Sequence, residues 1–398
     1  MKKVSVLLFA MAVAMVGLMA TPKESSAVPS FARQMNLPCY ACHFQHIPKL
    51  NAFGRAFKGG GYIDSATALI EDDNLSLPAN LPISVILKYR YQMATLKTAS
   101  TPDKKGTERG EWQFPDEFAF FAAGRAGKNV GYLFEGADAL SGKVLFVGTF
   151  GEMKAAITPW HTDAAGPFFG FESFNTGLKR PGRAFEHRTE TVAAQAIGVS
   201  TGAATGITAY IESHLVTASV GLWGPTNGAP DTGFDLSTVY RLAVTPNLGG
   251  FDGMIGVFGV AGKTKCVNCG AVGANEGSTL QEFKTEAFGI DTQWQGEVGG
   301  MTLEVQGMYA DVGADDTLYN KGTGISALAE LGLSKHFGVG LGYGNYDNKN
   351  KKVKTTATTV ALWWNIAQNV MLRPEYSMYS DDGRSKDSQL TVMLFAAF

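Results

Sequence analysis

The 398 residues carry 34 basic and 36 acidic side chains, a formal net charge of −2, which leaves no electrostatic footprint for nucleic acid or an acidic polymer. Charged residues make up 18% and aromatics 11%, with 48 glycines and 25 phenylalanines. Few charges with many glycines and aromatics fit a β-barrel that meets lipid, although a large soluble β protein shares that composition.

Residues 1–27 read as an export signal. Lys2 and Lys3 form a positive end, Val4–Met19 an apolar run, and Ser25-Ser26-Ala27 a small-residue cleavage site. An exported chain matures in an oxidising compartment, where attachment of haem to thiols and formation of disulfides are both feasible. Beyond residue 27 no stretch approaches the roughly 18 apolar residues of a spanning helix. A membrane role therefore requires a closed barrel, because lipid satisfies no open strand edge.

Residues 28–80 form the next unit, built on Cys39-Tyr40-Ala41-Cys42-His43. C-x-x-C-H is the attachment signature for c-type haem. Cys39 and Cys42 supply the two thiols that join the haem vinyl groups, and His43 is the proximal iron ligand. The bland alternative is a C-x-x-C disulfide with a chance histidine. His43, Phe44, Ile47 and Leu50 have helix-like spacing, interrupted by Pro48. A short helix is expected from Asn51, a candidate N-cap, to the stop at Gly59-Gly60-Gly61. About 50 residues hold too little core to bury a haem alone, so the rest of the chain must supply walls.

From residue 81 to 398 the period is two. Ile83, Val85, Leu87, Tyr89 and Tyr91 alternate with Ser84, Lys88 and Arg90, and the pattern returns at Val130–Glu135, Ile207–His214, Leu236–Val244, Met301–Tyr309 and Val370–Met378. In a transmembrane barrel the apolar face meets lipid and the other face lines the lumen; in a soluble sandwich the apolar face turns inward. Lys88, Arg90, Glu117, Arg125, Glu135, Glu212, Arg241, Glu304, Arg373 and Glu375 then face the lumen, as packed ion pairs or pore lining. Short links are expected near Gly127–Asn129, Gly202–Thr205, Asn247–Gly250, Gln295–Gly296, His336–Gly338 and Gln368. Longer ones are expected at 96–111, 219–235, 263–278, 313–322, 347–353 and 381–387. Short and long alternate as periplasmic turns and extracellular loops do. Fifteen strands can be placed, and an even number puts a sixteenth between Ala155 and Asn175, where Pro159 and Pro167 obscure the pattern. The expected fold is thus all-β: an outer-membrane barrel of about 16 antiparallel strands with a small N-terminal helical c-type haem segment. The strand Gln389–Phe398 ends on phenylalanine, similar to the last strand of bacterial outer-membrane barrels.

A second C-x-x-C, Cys266-Val267-Asn268-Cys269, is followed by Gly270 in place of histidine. It falls in an expected extracellular loop and reads as a local disulfide, since no further metal ligands stand nearby. The run Lys179-Arg180-Pro181-Gly182-Arg183 with Arg188 reads as a solvated loop or a contact with an anionic lipopolysaccharide surface. The distal haem ligand is not assigned. His46 lies close to His43 in sequence, Met35 can fold back, and His214, Met308, Met371 and Met393 have lumen parity; an open sixth position is the remaining option. No catalytic triad, P-loop or dinucleotide fingerprint stands out, which leaves one-electron transfer by the haem as the chemistry on offer.

Pro29-Ser30-Phe31-Ala32-Arg33-Gln34 before Cys39, and Pro48-x-Leu50-x-x-Phe53-Gly54-Arg55-x-Phe57-Lys58-x-x-Gly61-Tyr62 after His43, resemble the fused monohaem cytochrome c–porin family of outer-membrane iron oxidases. The motif match covers 29–62; the remainder matches in length and pattern. The resemblance implies one covalent haem c on a barrel that takes electrons from extracellular Fe(II) and passes them to a periplasmic electron carrier. It also implies that Arg33, Phe53, Arg55, Phe57 and Lys58 support the haem segment. The haem is expected in the barrel lumen or at its periplasmic mouth, with outer-membrane lipid around the wall. Three rivals stay open: electron flow outward to an extracellular acceptor, a solute porin with a structural or regulatory haem, and an adhesion or scaffold barrel with a fortuitous C-x-x-C-H.

Overall fold

The computed structural model describes residues 29–72, 75–96, 108–136, 140–171, 185, 192–226, 235–266, 281–315, 317–350, 352–381 and 386–398. The signal segment 1–27, the basic run 179–183 with Arg188, and Cys269 lie outside the described residues, and the 266–269 disulfide with them.

Sixteen antiparallel strands close into one barrel. In chain order they are β1 (Ile83–Leu96), β2 (Glu108–Arg125), β3 (Val130–Gly136), β4 (Leu140–Phe150), β5 (Met153–Thr162), β6 (Ala204–Glu212), β7 (Val216–Pro225), β8 (Ser237–Val244), β9 (Phe251–Ala261), β10 (Ala287–Val298), β11 (Met301–Val312), β12 (Gly322–Gly332), β13 (Phe337–Asn348), β14 (Val353–Ala367), β15 (Val370–Asp381) and β16 (Lys386–Ala397). β16 closes the barrel against β1, with Val392 opposite Tyr91 and Leu394 opposite Tyr89. Closure removes the free strand edges that lipid cannot satisfy.

The period-two pattern sorts as the sequence requires. Phe146, Ile157, Leu222, Leu242, Ile325 and Leu341 are exposed on the outer face, where only lipid can cover such an apolar belt. Lys88, Arg90, Arg241, Glu304, Arg373 and Glu375 are buried on the inner face. The sixteenth strand is Met153–Thr162, with Pro159 inside it and outward-facing Ile157 opposite Ala209 of β6.

Three expected connectors move. Gly202–Thr205 is no hairpin turn: it ends the long 163–203 connector and starts β6, and the short turn comes after Glu212, where Ser213 bonds across to Val216. Gln295–Gly296 lies inside β10; the chain reverses at Gly299 and Gly300, whose φ values of 60° and 78° suit a two-residue hairpin. The expected loop 219–235 begins only after Pro225, because Val220 and Leu222 continue the outward face of β7.

The lumen is filled from two directions. The N-terminal segment enters from the short-turn end as helix α1 (Pro29–Met35), a 3₁₀ turn at Cys39–Ala41 and helix α2 (Ala52–Gly59). Asn51 caps α2 by accepting from the Gly54 N–H at 2.9 Å, and Gly60 ends it. The helix suggested by the spacing of His43, Phe44, Ile47 and Leu50 does not form: 43–50 is a looped excursion whose ends meet at His43 and Leu50. Pro48 cannot donate within a helix, and Gln45 sits at φ 62°. From the other side, the connector between β5 and β6 brings in a 3₁₀ turn (Pro167–Phe171) and helix α3 (Ala193–Ala196). Phe168, Phe169, Val192 and Ala193 pack there with Trp160, Trp223, Phe258 and Met308 of the wall.

Candidate functional site

The Cys39–His43 turn is built by its own backbone. The Cys42 and His43 N–H groups both donate to the Cys39 carbonyl, at 3.1 and 2.9 Å, and the Asn51 N–H returns to the Cys42 carbonyl at 3.0 Å. The Asn51 side chain donates to the Ala41 carbonyl at 3.0 Å. One residue thus caps α2 and ties the turn down. Cys39 is buried and Cys42 half-buried, and burial pushes the Cys42 thiol pKa up. Tyr40 between them is 62% exposed.

His43 is oriented by a backbone carbonyl. Its Nδ1–H donates to the Lys49 carbonyl oxygen at 3.0 Å, which leaves Nε2 as the nitrogen with an available lone pair. Burial lowers the imidazole pKa to about 4, so the ring is neutral at physiological pH. A neutral histidine whose other nitrogen donates to a carbonyl is the form in which histidine binds a metal. Two thiols on the preceding turn complete the donor chemistry of a covalent haem site, and these residues fit the group.

The turn is seated at the short-turn mouth. The Cys39 N–H donates to Gln368 Oε1, between β14 and β15, at 2.9 Å. Buried Met371, Met393, Trp363 and Phe395 of the wall pack around Cys39 and Ile47. Gln34 Nε2 donates to the Ala123 carbonyl at 2.7 Å, and Arg33 to the Ile83 carbonyl. Arg55 donates to Gln295 at 2.9 Å, and Gln295 donates in turn to the Leu50 carbonyl at 3.0 Å. Phe57 stacks edge-on to Phe31 at 5.3 Å within a cluster that includes Tyr62, Leu145 and Tyr210. Phe53 is 47% exposed. Of the family-implied supports, then, Arg33, Arg55 and Phe57 contact the wall or the packed core, whereas Phe53 faces open space.

Beneath the turn lies a buried ionic cluster. Lys49 Nζ, fully buried, meets Glu304 Oε2 at 2.6 Å and Gln45 Oε1 at 2.7 Å, and pairs with Glu330. Arg373 meets Glu330 at 2.6 Å and Glu375 at 2.9 Å. His46 donates from Nδ1 to the Ile47 carbonyl at 2.8 Å, and its Nε2 lies 3.0 Å from both the Arg373 guanidinium and Glu330 Oε2. Burial lowers the His46 pKa, consistent with a neutral ring that accepts from the guanidinium. With both nitrogens engaged, His46 has no lone pair left for iron.

The other distal candidates separate. His214 is exposed in the β6–β7 turn, 3.4 Å from Glu152. Met308 belongs to the cluster around α3, where its sulfur accepts from the Ala194 N–H at 3.3 Å. Met35 packs beside Phe57. Only Met371 and Met393 share a cluster with Cys39 among the described residues.

Where the two inserts meet, a cavity of about 50 Å³ is lined by Arg55, Lys58, Phe171, Lys143, Glu212 and Arg241, room for water or a small ion. The sequence reading missed Lys49 and Glu330. Lys49 looked like an ordinary loop charge. Glu330 sits in a strand whose inward positions begin Gly322, Gly324, Ser326, too small to announce a buried face.

No family model and no curated protein matches the chain. Its likeness is structural. A high-pH structure of OprB from Pseudomonas putida superposes with a TM-score of 0.52 at 11% identity, covering 80% of this chain and 94% of that one. An anion-selective porin from Comamonas acidovorans gives 0.48 at 14% identity over 79% and 98%. A BenF-like porin from Pseudomonas fluorescens Pf-5 gives 0.44 at 10% identity over 80% and 98%. The chain has the fold of an outer-membrane porin.

Proposed function

We propose that this barrel carries one covalent haem c on Cys39 and Cys42, with His43 as proximal ligand, and moves electrons across the outer membrane. The observation that carries the proposal is the His43 ring, buried and held through Nδ1–H by the Lys49 carbonyl, directly after Cys42 in the Cys39–His43 turn. The haem, when bound, supplies one-electron chemistry. Short turns mark the periplasmic side of such barrels, so a group held beside Gln368 stands next to soluble periplasmic carriers. The motif spanning 29–62 points to extracellular Fe(II) as donor, which gives up one electron while a periplasmic carrier gains one.

A haem-stained gel of the outer-membrane fraction tests the assignment. Wild type is expected to stain and the double variant Cys39→Ala/Cys42→Ala to leave no covalent haem; stain in the double variant would refute attachment. The OprB-like fold favours a second reading, a solute porin in which the haem is structural or regulatory. The two inserts that fill the lumen weigh against it, and swelling of proteoliposomes in small sugars would support it.

A further inference from the structure

We infer that Lys49 is a positioning residue for the proximal histidine, and that the barrel wall, through Glu304 and Glu330, fixes how the His43 ring is turned toward its metal. The inference rests on the haem assignment above. Its geometry is a short chain of contacts. His43 Nδ1 is oriented by the Lys49 carbonyl at 3.0 Å. The same residue's ammonium is fully buried between Glu304 of β11 at 2.6 Å and Glu330 of β12, with Gln45 closing a third side. Glu330 is itself held by Arg373 of β15 at 2.6 Å, and Gln45 by the Thr302 carbonyl at 3.0 Å and by Asn365, which donates to its own carbonyl at 2.9 Å. Two wall strands, β11 and β12, therefore grip the side chain whose backbone oxygen sets the ring, and β15 braces one of them through Arg373.

A lysine in a looped excursion ordinarily keeps its ammonium in water, since burial of a charge is costly unless it is paired. Here the charge goes inward and meets two carboxylates. The grip fixes one backbone oxygen, and a hydrogen bond to the outer nitrogen of a ligating imidazole sets both its tautomer and its orientation. It follows that the 29–62 segment is no detachable cytochrome: part of the haem's outer shell is barrel.

The test uses the full-length protein purified from outer membranes, first checked for covalent haem by stain and for an intact barrel by heat-shifted gel mobility. Low-spin ferric electron paramagnetic resonance reads the imidazole orientation through its g values. Wild type is expected to give one set. Lys49→Met is expected to give a broadened or multiple set, Lys49→Arg to restore the single set, and Glu304→Gln, altered only on the wall, to broaden it as well. Lys154→Met breaks a different anchor between segment and wall, the pair with Asp64, and is expected to leave the signal as in wild type. A Lys49→Met or Glu304→Gln protein with wild-type g values would overturn the inference, as would equal broadening in Lys154→Met. Should Lys49→Met fail to assemble, Glu304→Gln against Lys154→Met decides. Absence of haem from wild type would instead defeat the attachment assignment itself.

Discussion

A methyl group at Gly54 would lie 2.2 Å from the Cys42 carbonyl oxygen, so α2 can pass under the haem-motif turn only because residue 54 has no side chain. Gly54→Ala must push the turn away or distort the helix, at a cost of about 1–3 kcal/mol for overpacking. The expected outcome is a lower fraction of haem-loaded protein, measured as the ratio of Soret absorbance to protein, together with protease cleavage within 43–50; unchanged loading and resistance would show that the turn adapts freely. The Cys39–His43 turn could be singled out at this scale because covalent haem attachment, if made there, calls for two thiols three positions apart and a histidine directly after. Lys49 was not legible, since a lysine's fate in a loop depends on partners more than 250 residues away. Cys266 and Cys269 lie far in sequence from Cys39–His43, in the connector after β9, so replacing both with serine is expected to leave the haem spectrum unchanged; loss of the Soret band in folded protein would contradict that expectation.

At the level of elements, period-two alternation gave the strands and the inward set of Lys88, Arg90, Arg241, Glu304, Arg373 and Glu375. Turn positions were less legible where a Gly-containing stretch closes a long connector just before a strand, as at Gly202, or where the true reversal is a glycine pair a few residues on, as at Gly299–Gly300. The insert after β5 was hidden for a different reason. Phe168, Phe169 and Phe171 sit in a Pro- and Gly-rich connector with no alternation, and the signal that could have found them is that apolar cluster itself. The ionic cluster under the Cys39–His43 turn joins β11, β12 and β15 to the N-terminal segment. Removing one member of a fully buried pair leaves the other charge unpaired, at about 3–5 kcal/mol. Glu330→Ala, which leaves Lys49 with Glu304 and Arg373 with Glu375 as their remaining carboxylates, is therefore expected to lower the denaturant midpoint and to expose the segment to protease, and an unchanged midpoint would show that Glu330 adds nothing to stability. The strand order makes a second prediction: an epitope inserted at Asn350 is reached by antibody on intact cells, whereas one inserted at Gly249 is not. The reverse result would invert the barrel.

Across the whole molecule, the wall, the N-terminal segment and the 163–203 connector form one object. The segment reaches the wall through Gln34, Gln45, Lys49 and Arg55, and it meets the connector around a small cavity lined by both. This arrangement brings the Cys39–His43 turn to the short-turn mouth with its outer shell already assembled. The central claim is that a haem held there accepts electrons from Fe(II). The most direct measurement is anaerobic absorbance of the purified, fully oxidised protein on addition of Fe(II). Reduced-haem bands are expected in wild type and none in Cys39→Ala/Cys42→Ala; a wild-type haem that stays oxidised in excess Fe(II), yet is reduced by dithionite, would contradict the claim.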